Sequence, residues 1–146
     1  MVLLSFSVKE AELRAGTKIR TTRLYTPEKW KQWQATIPPN NTKLLDLWWK
    51  SRTPDGYLID ERSGADLYRL IFIFHINRLW PYRVDDGRSD RWATALSPMT
   101  QEEAQQYARE EGFEGQLDEL LQFFEAHYAP LGNKIFQSIA FPPKVV

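Results

Sequence analysis

The chain has 146 residues, of which 42% are hydrophobic and 26% are charged, the size and composition of one globular domain with a core of its own. Its 19 basic and 19 acidic residues balance, and it has two histidines and no cysteine. These counts exclude disulfide bonds, thiolate zinc sites and thiol catalysis, and they disfavour a histidine-rich metal centre.

The charges are unevenly distributed along the chain. Residues 1–91 carry 16 basic and 11 acidic side chains, a balance of +5, whereas residues 92–146 carry 3 and 8, a balance of −5. This asymmetry indicates a basic face for nucleic acid beside an acidic helical part. Solvated glutamates on helices would give the same counts, and composition alone favours that simpler interpretation.

No segment has the pattern of a targeting or membrane-spanning sequence. The apolar run in MVLLSFSVKE is too short for a signal peptide and follows no positively charged region. The longest apolar run, LIFIFHI, is far shorter than the roughly 20 residues of a membrane helix. We therefore expect a soluble, cytoplasmic protein with no membrane partner.

The N-terminal part predicts a strand, a helix and a second strand in close succession. The apolar segment VLLSF predicts a strand, and Ser7 with Glu10 fits a capping box for a helix over about Val8 to Ala15. Gly16 would end this helix, because the residue after a helix commonly has a positive φ. The following segment, TKIRTTR, is rich in β-branched residues and predicts a strand.

The middle of the chain predicts a hairpin and a central strand. A short helical turn starts at Pro27 and gives way to a loop at IPPNN. The segment TKLLDLWWK places Leu45, Leu47 and Trp49 on one face, and the turn signal TPDGY joins it to YLIDE as a hairpin. The segment ADLYRLIFIFHINRL is apolar on both faces, which predicts a central strand covered on both sides.

The C-terminal part predicts a long connection, two helices and a final strand. Residues 80–97 predict a long irregular connection. A second capping box, Thr100 with Glu103, predicts a helix to about residue 110, and a second helix covers about 116–127. The segment NKIFQSIAF predicts the last strand. Because few strands are separated by crossover helices, the pattern favours an α+β fold with a small, mostly antiparallel sheet or barrel flanked by helices.

The basic segment GTKIRTTR is the strongest candidate for a binding site. Its side chains offer cationic donors to phosphate, and a strand would place Lys18, Arg20 and Thr22 on one face and Thr21 with Arg23 on the other. Alternatively, these charges pair with neighbouring carboxylates and only stabilise the fold. Both interpretations remain open at this point.

A carboxylate in the second half of the chain is a possible partner of this segment. Glu111 lies at the predicted C-terminal end of a helix, where the macrodipole disfavours a negative charge. A cation such as Lys18 or Arg23 would hold it there, whereas a solvated terminal glutamate is the commoner alternative. The dipole favours His127, which is near another helix end, and we do not expect it to be catalytic.

Two further residues are candidates for ligand contacts. Trp48 shares its predicted strand face with Asp46 and Lys50, so its ring could stack on a base, with core packing as the alternative. Arg52, in the turn that follows, adds a cation. The sequence has no P-loop, no GxGxxG or GxSxG motif and no metal-ligand spacing, so we expect no metal and no cofactor.

Two motifs together resemble the ASCH family, whose members have a PUA-like fold. An apolar strand and a helix precede Gly16, Lys18, Thr21 and Arg23 at the family spacing, and the acidic–glycine–aromatic step beginning at Glu111 precedes a helix and a last strand. The resemblance implies one PUA-like domain over residues 1–146, a small mixed β-barrel with flanking helices. Relative to the shortest members, this chain has insertions at about 24–43 and 80–97.

The resemblance also implies functions. ASCH proteins are proposed to bind RNA, some small members resemble amidohydrolases that deacylate N4-acetylcytidine, and another branch is reported as ribonuclease. The carried-over catalytic set is Lys18, Thr21 and Glu111. The candidates for ligand binding, chosen from the residues themselves and from the motif positions, are Gly16, Arg20, Arg23, Trp48 and Arg52. We expect an RNA- or nucleotide-binding cleft first and a hydrolase second. A third possibility is a protein-binding module that uses the Trp-rich insertions.

Overall fold

The computed structural model describes residues 2–39, 41–75, 78–85, 95–114, 116–132 and 134–143. Its helices are α1 (Glu10–Ala15), α2 (Pro27–Gln34), α3 (Gln101–Glu110) and α4 (Leu117–Tyr128). Its strands are β1 (Val2–Phe6), β2 (Arg20–Leu24), β3 (Leu45–Trp49), β4 (Tyr57–Arg62), β5 (Ala65–His75), β6 (Arg78–Asp85), β7 (Ala95–Pro98) and β8 (Ile135–Ala140). None of the helices in these ranges combines the length and the apolar character that crossing a membrane requires.

The strands form two sheets. The smaller has the order β1-β3-β4, with β1 parallel to β3 and β4 antiparallel to it, so the predicted hairpin is confirmed. The larger has the order β2-β8-β5-β6-β7 and is antiparallel throughout, with β5 in the predicted central position. The α+β class is therefore confirmed. The strand pairing among the described residues does not close a barrel, so that finer prediction is unconfirmed.

Two hydrophobic cores cover the two faces of the larger sheet. On one face, α3 and α4 pack against β5 and β8, and the rings of Phe72, Phe124 and Phe136 have centroids 5.5–6.0 Å apart. On the other face, Ile139 packs with the apolar side chains of the smaller sheet and with Trp33 from α2. β2 lies at the edge of the larger sheet and pairs with β8 alone within that sheet.

Local signals predicted the helix ends with one exception. The capping box of α3 is present, since Thr100 Oγ1 accepts from Glu103 N at 3.1 Å and Glu103 Oε1 accepts from Thr100 N at 3.0 Å. Gly16 follows α1 with φ 77°. The predicted Ser7–Glu10 capping box is wrong: α1 starts after Lys9, which has φ 63° and makes no side-chain cap. With Lys9 as the cap residue, Ser7 lies too early in the chain to cap the helix.

The predicted irregular connection over residues 80–97 is wrong at both ends. Trp80 lies in β6, which pairs with β5, and β7 pairs with β6 in turn. Pro81 lies within β6, and its carbonyl accepts from Met99 N at 3.0 Å. Trp80 Nε1 donates to Met99 O at 2.7 Å, which fixes the segment before α3 against this strand. Residues 86–94 lie outside the described residues.

Because Tyr68 is buried, we expect the fold to lose stability at alkaline pH. The guanidinium carbons of Arg20 and Arg83 lie 4.7 and 4.1 Å from the ring centre of Tyr68, and burial raises its pKa to about 12. The unfolded chain ionises this phenol near pH 10, so it binds fewer protons than the folded chain between pH 10 and about 12, and the free energy of unfolding falls as the pH rises. The free energy of unfolding, measured with urea, should fall less steeply with pH in Tyr68→Phe than in the wild type over this range. An equal slope would contradict the assignment.

Candidate functional site

A cavity of about 190 Å³ lies where both halves of the chain meet. The end of β1, the edge strand β2, the residue after α3 and the last turns of α4 each contribute to it. Its polar lining includes Lys18, Thr21, Thr22, Arg23 and Glu111, and its apolar lining includes Phe6, Phe123 and Phe124. The cavity therefore combines hydrogen-bonding groups with an aromatic wall.

Lys18 is buried, and protein acceptors surround its ammonium group. Nζ donates to Arg20 O at 2.9 Å, to Glu111 O at 2.8 Å and to Glu111 Oε2 at 3.0 Å. An ammonium group has three protons, so these bonds use all of them. Burial lowers the pKa of Lys18, and the Glu111 carboxylate opposes that shift.

The end of α3 places Glu111 beside this lysine although 93 residues separate them in the chain. Glu111 is the C-cap residue of α3, and Gly112 reverses the chain with φ 95°. A side chain at Gly112 would strain this backbone and would place Cβ 3.3 Å from Lys18 Cβ. Glycine thus permits the close approach of the two segments. Of the alternatives that the sequence left open for Glu111, pairing with Lys18 is the one present, at 3.0 Å.

The second carboxylate oxygen of Glu111 belongs to a chain of hydroxyl groups. Thr22 Oγ1 donates to Glu111 Oε1 at 2.5 Å and lies 2.7 Å from Tyr107 OH. A threonine hydroxyl has one proton, and Thr22 gives it to the carboxylate, so the Tyr107 hydroxyl donates to Thr22. Burial raises the pKa of Tyr107 well above its usual range, so it stays a neutral donor at physiological pH.

Thr21 and Arg23 form a second group on the opposite face of β2. Arg23 Nε donates to Thr21 Oγ1 at 3.2 Å, and Arg23 Nη2 donates to Ser5 O at 2.8 Å. Burial lowers the pKa of Arg23, which still leaves the guanidinium charged at neutral pH. Among the described residues, Nη1 of Arg23 has no hydrogen-bond partner, so this cavity cation retains donor capacity for a ligand.

The last turns of α4 form the aromatic side of the cavity. His127 Nδ1 lies 2.8 Å from Phe123 O, and the two rings have centroids 4.2 Å apart. A bond from Nδ1–H to this carbonyl leaves Nε2 of a neutral ring as an acceptor. Tyr128 completes this side. A planar ligand would thus meet both flat rings and polar edges.

The remaining predicted ligand-binding residues lie elsewhere. Arg20 is buried but does not line the cavity: its guanidinium donates to Asp66 Oδ2 at 2.5 Å and to Ser138 Oγ at 2.9 Å. Here the alternative interpretation, pairing with a carboxylate, holds. The other three do not line the cavity either; they are Gly16 at the end of α1, the half-buried Trp48 in the smaller sheet, and the exposed Arg52 with φ 66°.

Sequence reasoning missed two members of the network, Thr22 and Tyr107. Helical spacing offered a signal for Tyr107, because it precedes Glu111 by four residues and so shares its helix face. Strand alternation already grouped Thr22 with Lys18, whereas the family spacing directed attention to Thr21. Neither pattern specifies which hydroxyl contacts the carboxylate.

Among the described residues, no group of three or more histidine, aspartate or glutamate side chains is arranged to hold a metal ion. Comparing the chain with protein-family models, with curated proteins and with solved structures gives no match.

Proposed function

We propose that the cavity binds one nucleobase of an RNA or nucleotide ligand. The observation that carries this proposal is the meeting of the buried Lys18–Glu111 pair with the hydroxyls of Thr21 and Thr22 and an aromatic wall in one cavity. Its volume of about 190 Å³ is below the roughly 300–1,000 Å³ of pockets for drug-sized ligands. A single planar base with polar edges fits such a space better than a whole nucleotide.

The distribution of charge supports a base inside and a phosphate at the rim. Lys18 gives all three ammonium protons to the protein, so it stabilises Glu111 rather than a phosphate. The C-terminal ends of α3 and α4 add partial negative charge near the cavity. Arg23 retains a free donor, and we assign the phosphate contact to it.

Membership of the ASCH family, with its PUA-like barrel, is part of the same proposal. It rests on the spacing of Gly16, Lys18, Thr21 and Arg23 and on the step from Glu111 to Phe113. Support comes from the position of these motifs, because the first half of the chain supplies Lys18 and the second half supplies Glu111 to one cavity. The insertion at about 24–43 includes α2.

Removing the Arg23 side chain, to which we assign the phosphate contact, tests the binding proposal. We expect Arg23→Ala to weaken binding of a short single-stranded RNA and to reduce the slope of log affinity against log salt by about one, since one phosphate contact is lost. Fluorescence anisotropy at several salt concentrations measures both quantities. The matched control is Arg109→Ala, an exposed arginine on α3 outside the cavity, which should leave both unchanged. Wild-type affinity and slope in Arg23→Ala would refute the phosphate contact.

The second candidate is an amidohydrolase that removes an acyl group from N4-acetylcytidine. The observation that favours it is the 2.5 Å hydrogen bond from Thr22 Oγ1 to Glu111 Oε1, because a hydroxyl bonded to a carboxylate can lose its proton as it attacks. Lys18 would then orient the carboxylate, and Tyr107 would stabilise the developing alkoxide. A ribonuclease is the remaining hydrolytic alternative, which incubation with RNA separates from deacylation.

A further inference from the structure

A second aromatic surface lies beside the cavity, where the chain continues beyond the end of β2. Tyr25 follows Arg23 by two residues, and its N–H donates to Ile135 O at 2.9 Å, so it prolongs the pairing of β2 with β8. Residues two apart on a strand share a face and lie about 7 Å apart. Tyr25 therefore lies on the same side of β2 as Thr21 and Arg23, one step beyond the cavity.

Tyr25 is part of a compact aromatic and cationic cluster. Its ring centroid lies 6.0 Å from that of Trp30 in α2, with an interplanar angle of 62°. The guanidinium carbon of Arg69 lies 5.2 Å from the Tyr25 ring centre and 5.7 Å from that of Trp30. Both rings are half-buried, so part of each surface is accessible. Base stacking on such rings, assisted by an arginine, is the usual way in which proteins hold single strands.

The helix that carries Trp30 is firmly attached to the fold. Thr26 Oγ1 accepts from Lys29 N at 3.1 Å and caps α2, and Pro27 occupies its first turn. Three residues after Trp30, Trp33 is only 2% exposed within the second core. The buried tryptophan thus anchors the helix and leaves Trp30 at the surface beside Tyr25.

The charges around Trp30 match a polyanion. Lys29 and Lys31 flank it and are exposed, and Glu28 is the single acidic residue of α2. Arg69 and Arg23 add positive charge on the side of the sheet. Flexible lysines beside stacking rings can follow a phosphate backbone without specifying sequence.

We infer that Tyr25, Trp30 and Arg69 form a second subsite that stacks the nucleotide next to the one held in the cavity. The ligand is then a single-stranded RNA segment rather than a free nucleoside, and Arg23 lies between the two bases at the connecting phosphate. This inference rests on the proposed function, because it assumes a base in the cavity. It gives the insertion at about 24–43 a role in binding.

Comparing a mononucleotide with an oligonucleotide tests the second subsite. We expect Trp30→Ala to weaken binding of a hexaribonucleotide about 5- to 150-fold, the effect of losing one stacked base, and to leave the affinity for cytidine monophosphate unchanged. Trp30→Phe keeps a ring at the position and should restore most of the affinity. Calorimetric titration measures all three proteins with both ligands, and circular dichroism verifies that the variants are folded.

The outcomes separate the inference from the proposed function. If Trp30→Ala binds the hexaribonucleotide as tightly as the wild type, the second subsite is refuted while the cavity proposal stands. An equal loss for both ligands also refutes it, since a flanking subsite does not contact the mononucleotide. If the wild type binds neither ligand, the cavity proposal and the second subsite are both wrong.

Discussion

Glu111→Leu should lower the free energy of unfolding by about 3–5 kcal/mol, because it leaves the ammonium group of Lys18 buried without its counter-charge. The Lys18 and Glu111 side chains are only 6% and 4% exposed, so bulk solvent compensates little for the lost partner. The same substitution removes the acceptor of Thr22, which adds to the cost. Urea unfolding followed by circular dichroism measures the change.

The double variant distinguishes a pairing effect from simple loss of packing. Lys18→Met with Glu111→Leu removes both charges, and replacing a buried ion pair by apolar groups is often close to neutral, so most of the lost stability should return. The exposed pair of Arg78 and Asp118 provides the control, since Asp118→Asn should cost less than about 1 kcal/mol. A double variant no more stable than Glu111→Leu would contradict the account of Lys18.

A buried ion pair of this kind orients the side chains around it rather than adding stability to the fold. Hydrophobic side chains would fill the same space at lower cost in desolvation, so the fold alone does not require the charges. In this cavity the pair fixes one carboxylate oxygen on Lys18 and presents the other to Thr22. The double variant should therefore fold and yet lose binding or activity, which separates the two roles.

The sequence predicted those parts of the fold that neighbouring residues determine. The capping box at Thr100, the chain reversal at Gly16 and the hairpin of β3 and β4 each depend on a few adjacent residues, and each is present. β6 and β7 were missed because β6 depends on pairing with β5 and β7 depends on pairing with β6, and a proline within β6 is unfavourable for a strand. Tertiary contact outweighed the local signal there.

Prediction of the site had a similar limit. Helix-dipole reasoning offered Lys18 or Arg23 as a cation that would hold Glu111, beside the commoner alternative of a solvated glutamate, and it did not choose among them. Arg20 was predicted to bind ligand, but its position in the strand directs it to Asp66 and Ser138 instead. Sequence spacing identifies a strand face, whereas the partner of each side chain depends on which helix packs on that face. The choice between Thr21 and Thr22 was beyond the sequence for this reason.

Thr22→Val should slow the hydrolysis of N4-acetylcytidine about 10²- to 10⁴-fold if the Thr22–Glu111 bond carries the reaction. Thr22 Oγ would attack the acetyl carbon as its proton passes to Glu111, and Glu111 would return that proton to the departing N4 of cytidine. Water would then hydrolyse the acetyl ester on Thr22 and release acetate. Valine keeps the shape of threonine and removes only the hydroxyl. Chromatography of the nucleosides measures the rate.

The matched variant Thr21→Val decides between the two hydroxyls. Thr21 Oγ1 accepts from Arg23 rather than contacting the carboxylate, so its loss should affect substrate binding more than the maximal rate. The opposite ranking, with Thr21→Val inactive and Thr22→Val active, would make Thr21 the nucleophile, as the family spacing implies. Cleavage of RNA instead of the acetyl amide would favour the ribonuclease branch. If the wild type leaves both substrates intact, catalysis is refuted, and the Lys18–Glu111 pair serves base binding alone.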